Sequence, residues 1–131
     1  MGIIFRNIRL ANFGRDDLEE IDANALVDSG AAELCIPQHI ANQLRLKQIE
    51  EREVRIANGD RVLVPYVGGV RVEVFGRQTV TSAIVIGDQV LLGAIPMEAM
   101  DLVIHPRSLT LIPNPDSPNV PASLAMGVRG G

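Results

Sequence analysis

The chain has 131 residues, 47% of them apolar but only 3% aromatic, and a formal charge of −4. That length suits one domain, and the scarcity of rings makes the core aliphatic, which favours strands. Negative charge without a basic stripe argues against a nucleic-acid partner, and the lack of a long apolar run or a charged leader argues against a membrane partner or export.

Residues 3–12 are rich in apolar residues, interrupted by Arg6, Asn7 and Arg9, and end at Phe13-Gly14, which reads as a strand with a turn behind it. A charged connection, residues 15–20, leads to a second strand at 21–27. Its apolar end, Ala25-Leu26-Val27, stops at Asp28-Ser29-Gly30-Ala31, and apolar residues resume at Leu34-Cys35-Ile36. A carboxylate buried at the end of an apolar strand costs free energy unless hydrogen bonds or a shared proton compensate, so the pattern points to chemistry. An ordinary surface turn uses the same residues, because Asp and Ser bond their own backbone and Gly supplies positive φ. Cys35 is the one cysteine, which leaves no intrachain disulfide and fits a reducing cytoplasm. With no cationic neighbour to activate it, it reads as structural.

Residues 37–46 read as a helix with Pro37 in its first turn and Ile36, Ile40 and Leu44 on one face. His39 reads as a surface residue. Charged residues 47–53 read as a loop, followed by a hairpin of 54–57 and 62–67 around Asn58-Gly59-Asp60-Arg61, with both central residues at positive φ. Gly68-Gly69 reads as a turn, and Val70, Val72 and Val74 alternate with Arg71 and Glu73 as a half-buried strand. Gly76-Arg77-Gln78 turns the chain into a strand at 79–86, and Val90-Leu91-Leu92 ends in Gly93. A helical turn at 96–100 and short strands at 102–104 and 108–112 follow, broken at His105-Pro106. From Pro113 onward four prolines and then glycines give a composition that buries little and predicts a loosely ordered tail. No GxGxxG, Walker loop, CxxC pair or HExxH occurs, so neither cofactor nor metal is expected.

Three features stand in one order: Val27-Asp28-Ser29-Gly30-Ala31, the Asn58-Gly59 hairpin, and Leu91-Leu92-Gly93 before a short helix. Together they resemble the retropepsin-like aspartic peptidases of clan AA, half-size relatives of pepsin. The likeness is greatest to bacterial members, which carry a stretch like Leu91-Leu92-Gly93-Ala94-Ile95-Pro96. It implies an all-β fold with one or two short helices, a half-pepsin barrel closed by homodimerisation over residues 1–113, with 114–131 as the tail. It also implies an aspartic endopeptidase acting on an extended peptide, and the single cysteine and missing leader lead one to expect it in the cytoplasm.

One Asp-Ser-Gly-Ala per chain is half of what the chemistry needs, since two carboxylates sharing a proton must act on one water. A symmetric dimer would bring two Asp28 residues together on its axis. By resemblance, Asp28, Ser29 and Gly30 are the catalytic turn, with Ser29 standing where the family often has Thr. Ala31, Asn58, Gly59 and Asp60 would face the substrate, the last three as the tip of a flap. Ala32 and Ala94 replace an acid and an Arg that pair in many retroviral members, so the dimer is held in another way. A non-catalytic dimeric peptide-binding module and a monomeric β-domain with Asp28 as a turn residue are the alternatives.

Overall fold

The computed structural model describes residues 3–125; residues 1–2 of the expected 1–113 domain and 126–131 of the expected tail lie outside the described residues. β1 (Ile4–Asn12) and β2 (Ile21–Val27) are antiparallel, with Ile4 opposite Val27 and Leu10 opposite Ile21. β3 (Leu34–Ile36) runs into α1 (Gln38–Gln43), and β4 (Lys47–Arg55) and β5 (Arg61–Val74) form the long hairpin. β6 (Arg77–Val85), β7 (Leu91–Leu92), α2 (Ala94–Ala99), β8 (Leu102–His105) and β9 (Thr110–Pro113) complete the order.

Strands β1, β2, β7, β3, β6 and β5 are neighbours in that order, and β5 returns to β1 through pairs such as Leu10 with Val72. The result is a closed six-stranded barrel with two short helices, the retropepsin-like half barrel that the sequence predicts. The ring closes through the pairing of β5 with β1. Ile8, Leu10, Leu34, Ile36, Val70, Val72 and Leu92 are fully buried in one core with Leu44 and Met100. Each such side chain contributes about 1.5–3 kcal/mol relative to leaving it in water. The aliphatic composition is thus spent on the barrel interior.

Four local readings change. Residues 47–53 belong to strand β4 rather than a loop; β4 hangs on β5 outside the ring, and most of its residues are exposed. Such an edge needs no apolar alternation, and its charges oppose edge-to-edge association. Gly68 and Gly69 lie inside β5, where two residues oppose one on β6 between the pairs Val67 with Ala83 and Val70 with Thr81. This bulge is where β5 exchanges β4 for β1 as its second neighbour. A Cβ on Gly68 would lie 2.9 Å from Ile49 Cδ1, so the missing side chain lets β4 come close.

The two hairpin turns also differ from expectation. Gly59 alone takes positive φ at the β4–β5 tip, its N–H donating to Ile56 O at 2.9 Å, while Ile56 N–H donates to Asp60 O at 2.9 Å. That is a three-residue loop with Gly in the left-handed position. The β5–β6 turn is Phe75-Gly76, both at positive φ, with Arg77 already in β6. Helix α1 stops at Gln43 because Arg45 is left-handed (φ 49°), and Asn12 Nδ2 donates to the freed carbonyls of Leu44 and Arg45.

Candidate active site

β2 carries its pattern of buried residues up to Val27, and the last bond it makes before the turn is from Asp28 N–H to Leu92 O, at 3.0 Å. The chain then folds back on itself: Ala31 N–H donates to Asp28 O (3.2 Å) and Gly30 N–H donates to the carboxylate, Asp28 Oδ1 (2.9 Å). The second bond fixes the rotation of the carboxyl group with a backbone donor. A Cβ on Gly30 would lie 3.1 Å from that same oxygen, so any side chain there presses on it.

Strand β7 holds this turn from behind. Leu91 and Leu92 pair in parallel with Leu26 and Val27, while Leu91 pairs antiparallel with Cys35 of β3. The loop from Asp28 to β3 therefore wraps the end of β7. Directly after it, Gly93 passes so close to the loop that a Cβ would sit 2.3 Å from Glu33 O and 2.8 Å from Ala31 O. The first two N–H groups of α2 then donate to the same loop, Ala94 to Ala31 O (2.8 Å) and Ile95 to Ala32 O (2.9 Å). These donors have no partner inside a helix, so the loop caps the helix while the helix fixes the loop. Ala94 is thus tied to Ala31, and Ala32 to Ile95, through the backbone.

Asp28, Ser29 and Gly30 are exposed at the edge of a cavity of about 450 Å³ whose other walls are Ile3, Ile4, Leu26, Val27, Ile104 and Leu109. Among the described residues, Asp28 is its one ionisable lining residue. Asp88 lines a different cleft beside α1, and Asp101 is engaged elsewhere, so neither shares this cavity. Asn58, Gly59 and Asp60 are exposed at the hairpin tip, tied to one another by Asp60 N–H to Asn58 Oδ1 (2.9 Å) and Asn58 Nδ2 to Asp60 Oδ2 (3.0 Å). They do not line the cavity in this single chain.

Two features escape a sequence reading. Arg52 of β4 stacks on the Tyr66 ring (3.7 Å) and faces Glu33 at 4.0 Å, which links the long hairpin to the loop behind Asp28. At the far side, Arg77 is 6% exposed and donates to the carbonyls of Met100, Asp101 and Ser117. Asp101 in turn accepts from Ser117 Oγ, from Ala122 N–H (2.9 Å) and from Asn114 Nδ2 (3.0 Å). These donors, Ser117 first, hold its carboxyl down at about 2, and they fasten the segment after β9 onto the domain. Cys35 is half-buried and its thiol is pushed up by burial first and by Glu33 second, as befits a structural residue.

Among the described residues no three His, Cys, Asp or Glu side chains come together as metal ligands, and no helix is long and apolar enough to cross a membrane. A search of the curated proteins finds no match. The family model described as aspartyl protease matches residues 16–120, a stretch that holds the Asp28 turn, the long hairpin, Gly93 and both helices. With that match spanning most of the barrel, the chain belongs to the aspartyl protease family, of the clan AA type.

Proposed function

We propose that the protein is a homodimeric aspartic endopeptidase that hydrolyses extended peptides with a water held between two Asp28 carboxylates. The observation that carries the reading is a single carboxylate, fixed by the Gly30 N–H and presented at the edge of an apolar cavity where the described residues offer no second acid. One Asp cannot be base and acid in the same step, whereas two that share a proton can.

In the proposed cycle the ionised Asp28 takes a proton from water as its oxygen adds to the peptide carbonyl carbon. The protonated mate donates to the carbonyl oxygen. Collapse of the tetrahedral species breaks the C–N bond, with a proton passing to the leaving amine. Ser29 would bond across the axis and Gly30 would keep each carboxyl oriented. Ala31 and the tip residues Asn58, Gly59 and Asp60 would contact the peptide backbone, the tip closing only when substrate is present. Ala31 offers no hydroxyl to favour the charged form, so activity at mildly acidic pH is expected.

The test is cleavage of a peptide library by wild type and Asp28→Asn, with mass in solution measured alongside. Asp28→Asn abolishes cleavage and leaves the circular dichroism spectrum unchanged. When wild type is mixed with Asp28→Asn under subunit exchange, activity falls as the square of the wild-type fraction. A linear fall would mean that each chain acts alone, and a dimeric wild type that cuts nothing from acidic to neutral pH would leave a peptide-binding module.

A further inference from the structure

The long hairpin changes character part-way along its length. From Tyr66 onward β5 also pairs with β6, beginning with Tyr66 opposite Ile84, so that stretch belongs to the ring. Between Arg61 and Pro65 it pairs with β4 alone, Val64 lying opposite Arg52 and Arg61 opposite Arg55. Residues 52–65 therefore form a two-stranded arm, and two strands alone are marginal in water. Towards its end Leu63 and tip residues 57–61 are exposed, so apolar burial does not fix the angle of the arm there.

Arg52 stands where the arm leaves the ring. Its guanidinium lies over the Tyr66 ring at 3.7 Å, its Nη2 donates to Glu50 Oε1 at 3.1 Å, and its Nη1 faces Glu33 Oε1 at 4.0 Å. The stack sets the plane of the group and Glu50 sets its rotation, which leaves the other edge aimed at Glu33. Glu33 is an anchored point: Gly93 passes close to its carbonyl oxygen, and the carbonyls of Ala31 and Ala32 beside it accept the N–H groups of Ala94 and Ile95. Among the described residues this is the one ion pair between the arm and the loop that returns from Asp28 to β3. We infer that Arg52 is a positioning residue, bracing the arm against that loop so that the Asn58-Gly59-Asp60 tip is held on the Asp28 side of the barrel before a peptide arrives. What the brace is for rests on the peptidase reading above, since only a substrate gives the tip something to close upon. An exposed ion pair and a cation–π stack together shift an equilibrium roughly tenfold. An arm already at its working angle loses less freedom on binding, so the effect belongs to KM and not to the chemical step.

Arg52→Leu removes the charge and the stack while keeping an aliphatic stem. Hydrogen exchange of the backbone amides of residues 54–63, measured without substrate, should quicken roughly tenfold, with β1 and β2 unchanged. In peptide cleavage KM should rise roughly tenfold, with kcat within about twofold of wild type. A merely structural loss would instead lower the folded fraction, and with it kcat, and leave KM alone. Glu33→Gln should reproduce much of the change, and Arg52→Leu added to Glu33→Gln should do less than it does in wild type, because its partner is already gone. Lys47→Gln, which removes an exposed charge at the other end of β4, should alter neither readout. Unchanged exchange in both Arg52→Leu and Glu33→Gln would overturn the brace, while cleavage by wild type would keep the peptidase reading. A KM that falls in Arg52→Leu would overturn it too, by showing that Arg52 holds the arm away from the site. If wild type cuts no peptide, the peptidase reading fails, and the exchange rates alone decide whether Arg52 braces the arm.

Discussion

Gly93 offers the sharpest test of how the turn is held. A methyl group there would lie 2.3 Å from Glu33 O and 2.8 Å from Ala31 O, backbone atoms that no rotamer change can move aside. To reach ordinary contact, the loop behind Asp28 must shift by roughly 1 Å, a rearrangement that costs about 1–3 kcal/mol as overpacking. The shift also breaks the bonds from Ala94 N–H and Ile95 N–H to the loop, together about 2 kcal/mol. Gly93→Ala should therefore lose about 3–5 kcal/mol, a large part of a typical domain's stability. Urea unfolding followed by circular dichroism is the assay, because the chain has no Trp and one Tyr to report by fluorescence. With m about 1–3 kcal/mol/M, the midpoint should drop by roughly 2 M. Gly30→Ala is the contrast: its nearest neighbour is the Asp28 side chain at 3.1 Å, so it should cost under about 1 kcal/mol while disturbing the carboxyl. A Gly93→Ala loss below about 1 kcal/mol would refute the claim that this crossing fixes the turn.

The contacts of Asp101 give a pH dependence. Its carboxyl titrates at about 2 instead of 3.8, so its contribution is complete above the ordinary range and is lost as pH falls from about 4 towards 2. Proteolysis or hydrogen exchange of residues 114–122 should be the same at pH 7 and pH 5, rise near pH 2, and already be raised at pH 7 in Asp101→Asn. Leu34→Ala, at a fully buried position of β3, should cost about 2–5 kcal/mol in the same urea assay. Gly59→Ala forces a side chain into φ +91° where nothing crowds it, so it should cost about 1 kcal/mol and show itself mainly as a higher KM.

How far the sequence could be read depended on whether burial left a local trace. The limits of β2 and the turn at Asp28 were plain, because an apolar strand ends at an ionisable residue and the barrel buries that strand. The same signal failed for β4: a strand outside the ring has no core to face, so its charges look like those of a loop. Gly68-Gly69 looked like a turn because glycines mark both turns and bulges, and only the partner strands distinguish them. The Arg77 and Asp101 cluster left no local mark, since its members are distant in sequence and meet only once α2 and the segment after β9 have folded. For the site itself, the residues of the turn were legible, but the Gly30 N–H on the carboxylate and the closeness of Gly93 needed coordinates.

Because β4 is bonded only to β5, the long hairpin is an appendage on a finished ring. Its tip can swing, lengthen or change sequence without unzipping any of the strands that present Asp28. On the function proposed above, selectivity for different peptides can be rewritten there over evolutionary time, while the turn that carries Asp28 stays as it is.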